Sequence, residues 1–359
     1  MTYRVLILGA SYGSLLGTKL AMAGHRVRLI CTRPTAELIN RDGTVVRFPV
    51  RGRAAPVEVA SKELPGAISA SVPEEADVDG YDLVVLAMQE GQYGAPSVRA
   101  LMARIAAARK PCLAIMNMPP LPYLRRIPGL SIKALERCYA DPAVWEGFEP
   151  ALTTLASPDP QAFRPADRNK NVLQVGLPTN FKAARFDADA PTALLRDLEA
   201  DIELARWSFE DEPAEIPVKL KVHDSLFVPL AKWPMLIAGN YRCVRSNDMI
   251  AIREAVHGNP ARSREIYDWV VALCLGLGAE AADLVPFDKY AKAADGLGKP
   301  SSAARALFAG AAHIERVDRL VESIASQMSL RCDWLSDIVA LVDERLVRNN
   351  RLAAERAAA

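Results

Sequence analysis

Two groups of residues in this sequence have the side chains and the spacing to contact a phosphate or to transfer a proton. The first is the run Gly9-Ala10-Ser11-Tyr12-Gly13-Ser14 near the start of the chain. Glycines in such a run allow a tight turn and a close approach of the backbone to a phosphate. The hydroxyl of Ser11 can also contact that phosphate. The second group is Lys219 with His223, because either side chain can transfer a proton to or from a reacting carbonyl.

The glycine run lies where a phosphate-binding turn belongs. It follows a predicted buried strand over residues 4–8 and opens a predicted helix over 14–24, which leads to a strand over 26–30. A strand, a glycine turn, a helix and a strand within about 30 residues form a dinucleotide-binding unit. The run departs from the usual Gly-x-Gly-x-x-Gly, since Ser11 replaces the second glycine and Gly13 comes one residue early. A tight turn without a ligand is the alternative.

The end of the second predicted strand indicates which dinucleotide is bound. An Asp or Glu at this place would bind the ribose 2′-hydroxyl of NAD. The chain has Cys31-Thr32-Arg33 instead. An arginine after a hydroxyl residue suits a 2′-phosphate. We therefore expect NADP(H), with NAD(H) as the second choice, unless Arg33 is only a solvated surface charge.

The pattern along the chain predicts two domains. Strands over 83–87 and 112–116 alternate with a helix over 98–108, and such alternation is typical of a doubly wound parallel sheet. Residues 156–171 are polar and loop-like, and from about residue 191 onward the pattern is mostly helical. The prediction is an α/β protein with a Rossmann-type domain over 1–188. An all-helical domain for substrate binding or dimerisation follows over 189–359.

Lys219 is predicted to lie in the first turn of a helix that Pro217 opens and Pro229 ends. His223 is then one turn further on the same face, and Phe227 continues that face. A lysine in the first turn opposes the helix dipole, so its pKa should be lowered. Its ammonium could protonate a carbonyl oxygen as a hydride arrives at the carbon. A solvated surface lysine is the alternative.

Three further polar residues are candidates, each with a structural alternative. Asn117 follows the strand over 112–116, so its amide could orient a ligand in the sheet crevice or simply form a turn. Ser302 could hold a substrate carboxylate or cap the helix that follows it. Glu315 could accept a hydrogen bond from a hydroxyl or pair with Arg319 one turn later.

The first 120 residues resemble the ketopantoate reductase family. Residues 5–10, 13–17 and 20–27 are similar to its N-terminal signature, and 82–89 with Gln92 to its next block, although the family has a lysine at Gln89. Residues 115–117 resemble its Asn-Gly block, with Met118 in place of the glycine. Together with the turn analysis, the resemblance implies that the cofactor contacts Gly9, Ser11, Tyr12, Gly13, Ser14, Thr32, Arg33, Met88, Gln89 and Gln92.

The second half of the chain resembles the family more loosely. Lys219-Leu220 is similar to its catalytic Lys-Leu pair on a helix, but His223 and Phe227 stand where asparagines are expected four and eight residues later. Residues 299–302 resemble a Ser-Ser block, and Glu315 lies one position from the expected glutamate. The resemblance implies catalytic roles for Lys219, Asn117, His223 and Glu315, and substrate contacts from His223, Phe227 and Ser302.

These patterns together predict hydride transfer from NADPH to the carbonyl of a small 2-oxo acid. Because both expected amides are missing, we expect a substrate other than ketopantoate. An opine-type or imine-reducing dehydrogenase with His223 as acid and base is one alternative. A nucleotide-binding sensor without catalysis is the other, since several family residues are replaced.

The amino-acid composition excludes several other classes of protein. Among 359 residues, 44 are Lys or Arg and 43 are Asp or Glu, so the net charge of +1 provides no field that attracts nucleic acid or anionic lipid. Of six cysteines the closest two, Cys112 and Cys138, are 26 residues apart, which fits reduced thiols rather than a metal site. No apolar stretch reaches the ~18 residues of a membrane span. We expect a cytoplasmic protein, with a homodimer as a possible assembly.

Overall fold

The computed structural model describes residues 1–209 and 212–358. Its strands are β1 (Arg4–Leu8), β2 (Arg26–Ile30), β3 (Val45–Phe48), β4 (Val57–Ala60), β5 (Ala67–Ser71), β6 (Leu83–Leu86), β7 (Cys112–Ile115), β8 (Thr153–Ser157), β9 (Gln161–Phe163), β10 (Val172–Leu177), β11 (Phe181–Ala184), β12 (Trp207–Phe209), β13 (Glu212–Ala214) and β14 (Leu220–His223). Its helices are α1 (Tyr12–Met22), α2 (Arg33–Asp42), α3 (Pro96–Ala107), α4 (Leu121–Leu124), α5 (Ile132–Leu135), α6 (Asp189–Leu204), α7 (Trp233–Met235), α8 (Ile252–His257), α9 (Pro260–Gly276), α10 (Phe287–Ala294), α11 (Ser302–Phe308), α12 (Val317–Gln327) and α13 (Asp333–Ala358).

The chain folds into two compact units. The first, here called the sheet unit, comprises Met1–Met88, Gln92–Arg126 and Ala143–Asp224. The second, the helical unit, comprises Gln89–Gly91, Ile127–Pro142 and the chain from Ser225 onward. The chain passes to the helical unit at Ser225 rather than at the predicted residue 189, because α6 packs against α1 and β14 of the sheet unit.

The sheet unit is built on an eight-stranded sheet in the order β14-β11-β8-β7-β6-β1-β2-β5. The strand β1 pairs in parallel with β2 on one side and β6 on the other. Its residues Val5 to Leu8 are fully buried, as expected for a parallel sheet that is covered on both faces. The Rossmann-type prediction is therefore confirmed. At one edge β11 runs antiparallel to β8 and carries β14 beside it.

The sheet unit also contains a second sheet, in the order β4-β3-β10-β9. The prediction of a loop over residues 156–171 is wrong in part, because β9 lies within this range and pairs antiparallel with β10. Three-residue strands such as β9 are too short to give a periodic signal. This hairpin is important for the candidate site because the residue just before β9 contacts the glycine turn.

The predicted helix between Pro217 and Pro229 is wrong, because residues 220–223 form the edge strand β14. Val218, Leu220 and Val222 are buried, whereas the residues between them are more exposed. This alternation has the period of a strand, and it outweighs the one-turn spacing of the polar residues that suggested a helix. The strand pairs in parallel with β11.

The helical unit confirms the predicted helical character of the chain from Ser225 onward, whereas the predicted all-helical range 189–359 also contains the strands β12, β13 and β14. Its core includes the fully buried side chains of Trp233, Tyr267 and Val321. A buried ion pair between Arg316 and Asp318, at 2.9 Å, begins α12. The run that starts with α7 continues as a π-helix over Leu236–Asn240, a turn type that is frequent at functional sites.

In the described ranges, no helix has both the length and the apolarity that crossing a bilayer requires. No group of three or more His, Cys, Asp or Glu side chains converges there as a metal site would. The six cysteines are free thiols.

Candidate functional site

The glycine turn is sterically constrained at Gly9. Its backbone N–H donates a hydrogen bond to the carbonyl of Ile30 in β2 at 2.9 Å. The chain that leaves β1 at this residue therefore lies tightly between the two neighbouring strands. The residue has a φ of +106°, and a Cβ atom there would lie 2.6 Å from the carbonyl oxygen of Ala87. It would also lie 2.8 Å from Cγ of Met88. Only glycine fits, which confirms the tight turn.

Gly13 is also required for a steric reason. A Cβ atom at this position would lie 2.7 Å from a methyl group of Ile7 in β1. Its absence lets the first turn of α1 lie directly on the strand. The two glycines therefore fix both the turn and the direction of the helix that follows, as dinucleotide-binding turns require.

The N-terminus of α1 is suited to an anion. In the part of the chain that the structure describes, no side chain caps this helix and its first turn carries no acidic residue. The first N–H groups of a helix lack partners within it and carry a partial positive charge. A pyrophosphate fits such a helix end. The Ser11 residue occupies the cap position.

Two predicted cofactor hydroxyls instead make hydrogen bonds within the protein. The hydroxyl of Ser14 donates to the carbonyl oxygen of Ala10 at 2.7 Å. The hydroxyl of Tyr12 donates to the carbonyl oxygen of Pro160 at 2.8 Å. The side chains of Tyr12 and Ser14 thus stabilise the turn, and backbone groups with Ser11 are left as the natural contacts for a phosphate.

At the end of β2, Thr32 and Arg33 begin α2. The Thr32 hydroxyl lies 3.1 Å from that of Thr35. The Arg33 guanidinium is 61% exposed and lies 2.8 Å from a carboxylate oxygen of Glu75, whose hydrogen bond raises the pKa of Arg33. Arg33 is thus at the expected place, but its charge is shared with an acidic neighbour.

A second arginine reaches the glycine turn from the loop between β9 and β10. The guanidinium of Arg164, which follows β9, donates to the carbonyl oxygen of Ala10 at 3.0 Å. Burial raises the pKa of the Cys31 thiol at the end of β2, and the positive charge of Arg164 opposes this shift. Burial lowers the pKa of Arg164. No local pattern marks Arg164 in the sequence, because 154 residues separate it from Ala10.

The loop after β6 holds the remaining predicted cofactor residues. Met88 lies against Gly9, and the buried hydroxyl of Tyr93 lies 3.1 Å from the Met88 backbone nitrogen. Gln89 and Gln92 are both exposed. Gln92 belongs to the sheet unit with Met88, whereas Gln89 belongs to the helical unit.

Asn117 lies two residues beyond the end of β7, in the sheet unit. It is half-buried, while residues 112–116 before it and 118–124 after it are buried. A polar side chain at the carboxyl end of a central parallel strand is where ligands bind in doubly wound sheets.

Lys219 does not have the environment that the sequence predicted. It lies just before β14, and its ammonium makes ion pairs with Glu203 and with Glu215, the latter at 2.6 Å. Burial lowers its pKa, but the hydrogen bonds to both carboxylates outweigh burial, and the net shift is upward. The prediction of a lowered pKa is wrong, because no helix dipole acts on this residue and two anions do.

His223 and Phe227 do not share a helical face. His223 ends β14 in the sheet unit, and its backbone carbonyl accepts a hydrogen bond from the Arg185 N–H at 2.8 Å. Phe227 belongs to the helical unit and is buried, with its ring near Gly278. The structure therefore does not bring these two predicted substrate residues together on one element.

A second lysine, Lys232, lies in a helical run of the helical unit. The run begins with a 3₁₀ turn over Pro229–Lys232 and continues through α7 and the π-helix to Asn240, eight residues after Lys232. Both are half-buried, whereas residues 236–239 between them are buried. Leu236 lies four residues after Lys232. The spacing of eight residues between a lysine and an asparagine is visible in the sequence.

The π-helix between Lys232 and Asn240 has an identifiable cause. The hydroxyl of Tyr290 donates to the carbonyl oxygen of Met235 at 3.1 Å, a bond that an α-helix would take from the N–H of Gly239. A Cβ atom on Gly239 would collide with that hydroxyl. The chain therefore reaches Asn240 through a π turn, which rotates the chain less per residue than an α turn.

The serine block lies beside Asn240. Ser301 is buried, accepts from the Ala304 N–H as the cap of α11 at 3.1 Å, and donates to the carbonyl oxygen of Asn240 at 2.8 Å. Ser302 is exposed. The cap that was considered for Ser302 is thus formed by Ser301.

Glu315 is joined to the same region through Tyr241. The Tyr241 hydroxyl donates to the backbone carbonyl of Glu315 at 2.5 Å and accepts from the Val317 N–H at 2.9 Å. The Glu315 side chain is half-buried. Arg319 pairs with Asp343.

A second carboxyl of the helical unit is that of Glu90. Glu90 is 3% exposed and accepts hydrogen bonds from the Ala140 N–H at 3.1 Å. Burial raises its pKa to about 7; the backbone bond opposes this shift and the charge of Glu315 adds to it. The sequence analysis passed over Glu90, because burial of a loop glutamate has no local sequence signal.

Comparison with solved structures finds the same fold at low sequence identity. A D-mandelate dehydrogenase in complex with NADH and anilino(oxo)acetate is 13% identical, with 97% of this chain and 99% of that one covered at a TM-score of 0.64. A PanE/ApbA-family ketopantoate reductase from Ralstonia eutropha is 16% identical, with 97% and 99% covered at 0.64. The 2-dehydropantoate 2-reductase from Methylococcus capsulatus is 15% identical, with 96% and 97% covered at 0.65.

No family model and no curated protein sequence matches the chain. The likeness to solved structures nevertheless extends over both units and nearly the whole length of each chain. The predicted resemblance to ketopantoate reductases is therefore confirmed at the level of the fold: this chain has the two-unit fold of those reductases and of the mandelate dehydrogenase.

Proposed function

We propose that this protein is a nicotinamide-dependent reductase that acts on the carbonyl of a small 2-oxo acid or a related substrate. The observation that carries the proposal is the turn at Gly9, which only glycine can form and which leads into the uncapped N-terminus of α1. The proteins of the same fold are reductases and a dehydrogenase of this chemical class.

The cofactor that we propose is NADP(H), with NAD(H) as the weaker ligand. The backbone of the glycine turn and the hydroxyl of Ser11 would hold the pyrophosphate, next to Met88. Arginine side chains at the end of β2, rather than a carboxylate, favour a 2′-phosphate. When bound, the nicotinamide supplies the hydride.

The proton donor that we propose is Lys232 rather than Lys219. Hydride addition to a carbonyl carbon leaves an alkoxide, which a positioned ammonium can protonate. Lys219 is held by Glu203 and Glu215, which stabilise its charged form and make it a poorer acid. Lys232 lies on the helical run with Asn240, as the family resemblance expects of its catalytic lysine.

For the other predicted residues we propose roles that agree with their positions in the structure. We propose that the amide of Asn117 orients the substrate or the nicotinamide, and that Glu315 accepts a hydrogen bond from the substrate hydroxyl. Asn240 would provide one amide to the substrate. Ser302, which is exposed, would contact a substrate carboxylate.

We propose that ketopantoate itself is a poor substrate. In the register of Lys232, Leu236 replaces one of the two amides that the family resemblance implies. An apolar side chain cannot replace an amide hydrogen bond, and a site that lacks a partner for a substrate hydroxyl binds it weakly. A 2-oxo acid with a less polar side chain should react faster.

Turnover with a panel of 2-oxo acids, followed by NADPH consumption, tests the function. Reaction with at least one 2-oxo acid in the absence of amines supports the proposal. Reaction only when an amine is added would favour the opine-type alternative. Tight NADPH binding without consumption of NADPH on any substrate would favour the sensor.

A further inference from the structure

We propose that Arg164 is the residue that selects NADP(H) over NAD(H), by binding the 2′-phosphate of the adenosine ribose. This inference rests on the proposed function, because it requires a dinucleotide on the glycine turn. It assigns the selection to an arginine 131 positions further along the chain than Arg33.

Arg164 is fixed at the border between the glycine turn and the end of β2. One of its terminal nitrogens donates to the carbonyl oxygen of Ala10 at 3.0 Å, and the adjacent Gly9 donates its N–H to the carbonyl oxygen of Ile30, the last residue of β2, at 2.9 Å. The ribose that carries the 2′-phosphate is recognised at the end of the second strand in folds of this type. The guanidinium is therefore held next to where that phosphate must lie.

The segment that carries Arg164 is anchored at two points. The hydroxyl of Tyr12 donates to the carbonyl oxygen of Pro160 at 2.8 Å, at the start of this segment. Arg164 makes the second contact, and between them β9 is paired with β10. Because the segment is anchored at both ends, the guanidinium is preorganised, which lowers the entropic cost of binding a ligand.

The charge of Arg164 is available to a ligand. In the described ranges, no carboxylate is paired with this guanidinium, and its hydrogen-bond partner is a backbone carbonyl. A guanidinium has five N–H donors in a planar fork, so one bond to Ala10 leaves donors for the two oxygens that a bidentate phosphate contact requires. Arg33, by contrast, already forms an ion pair with Glu75 at 2.8 Å.

The competing explanation is that Arg164 only braces the glycine turn through Ala10. The two explanations differ in one measurable quantity, the ratio of NADPH to NADH affinity. A brace serves both cofactors equally, because they share the pyrophosphate and the nicotinamide. A 2′-phosphate contact affects NADPH alone.

Calorimetric titration of the full-length protein with NADPH and with NADH tests the inference. The variants are Arg164→Ala, Arg33→Ala and Arg168→Ala, the last being an exposed arginine of the same β9–β10 loop. Thermal unfolding of each variant verifies that it folds. Arg164→Gln, which keeps a donor for Ala10 but has no charge, replaces Arg164→Ala if the latter does not fold.

We expect Arg164→Ala to weaken NADPH binding by about ten- to a hundredfold, the usual range for loss of a charged bidentate contact, with NADH affinity changed by less than about twofold. Arg33→Ala should have the smaller effect on NADPH, and Arg168→Ala none. Equal losses for NADPH and NADH in Arg164→Ala, or a larger selective loss in Arg33→Ala, would overturn the inference. If the unmodified protein binds neither cofactor, the proposed function itself fails.

Discussion

The ammonium nitrogen of Lys219 lies 2.6 Å from a carboxylate oxygen of Glu215. Glu203 holds the same ammonium, and its own pKa is lowered to about 2 by hydrogen bonds from Lys219 and then from Lys221. The network joins the end of α6 to the edge strand β14. Both lysine ammonium groups are therefore held by carboxylates at a sheet edge, which is why we propose another lysine as the proton donor.

The first prediction compares the two lysines. Lys232→Ala should lower turnover by about 10²–10⁴-fold, the usual contribution of a positioned acid, because no ammonium remains to protonate the alkoxide. Lys219→Ala should keep turnover within a few-fold of the unmodified protein. Steady-state rates with the best 2-oxo acid show which of the two lysines is the proton donor. NADPH affinity is measured in parallel. A large loss in Lys219→Ala alone would restore the original assignment.

The second prediction concerns the glycine turn. Gly9→Ala places a methyl group 2.6 Å from the carbonyl oxygen of Ala87 at a φ of +106°, so the turn must shift. Backbone strain of this kind costs about 1–3 kcal/mol of folding free energy, and the displaced turn should no longer bind either cofactor. Gly298→Ala is the control, because a methyl group there meets nothing within 4 Å. Normal NADPH affinity in Gly9→Ala would refute the assigned pyrophosphate site.

The third prediction uses the raised pKa of Glu90. Burial moves it from 4.5 to about 7, so between these pH values the folded protein holds a proton that the unfolded chain has lost. The free energy of unfolding should therefore fall as pH rises through this window, by about 3 kcal/mol at most. Glu90→Gln should remove this pH dependence and be more stable than the unmodified protein above pH 7.

Urea denaturation of Glu90→Gln across this pH range measures the effect. Glu63→Gln, at an exposed position, is the matched control and should follow the unmodified protein. A parallel pH dependence in all three proteins would show that Glu90 titrates normally.

The fourth prediction concerns the π-helix. Tyr290→Phe removes the hydroxyl that bonds to Met235, so the run can revert toward an α-helix and rotate Asn240 about the helix axis. We expect turnover to fall by about tenfold, with stability reduced by about 1 kcal/mol for the lost hydrogen bond. Tyr267→Phe is the control, because its ring stacks on Tyr290 and its hydroxyl bonds to Val285 at 2.6 Å, away from the π turn. Equal turnover in the two variants would show that the π turn does not position the site.

The parts of the fold that local patterns encode could be predicted from the sequence. The buried strand β1, the turn at Gly9 and the apolar stripes of the helical unit each have a periodic or steric signal within a few residues. The strand β14 was mistaken for a helix because the spacing of Lys219 and His223 imitated a helical face, although Leu220 and Val222 alternated as a strand requires.

The parts of the site that could not be predicted depend on contacts between distant residues. Arg164 meets Ala10 across 154 residues, and Tyr290 meets Met235 across 55. Neither contact has a local signature. Lys219-Leu220 matches two letters of the expected motif, but the structure places Lys219 before a strand and not on a helix.

The most direct test of the central claim follows the hydride itself. NADPH that carries deuterium at C4 of the nicotinamide is mixed with the protein and the best 2-oxo acid, and the product is analysed by mass spectrometry. The proposed function predicts a 2-hydroxy acid with one deuterium at C2, and Lys232→Ala should form it far more slowly. A product without deuterium, or no 2-hydroxy acid from any 2-oxo acid while NADPH binds, would contradict the claim.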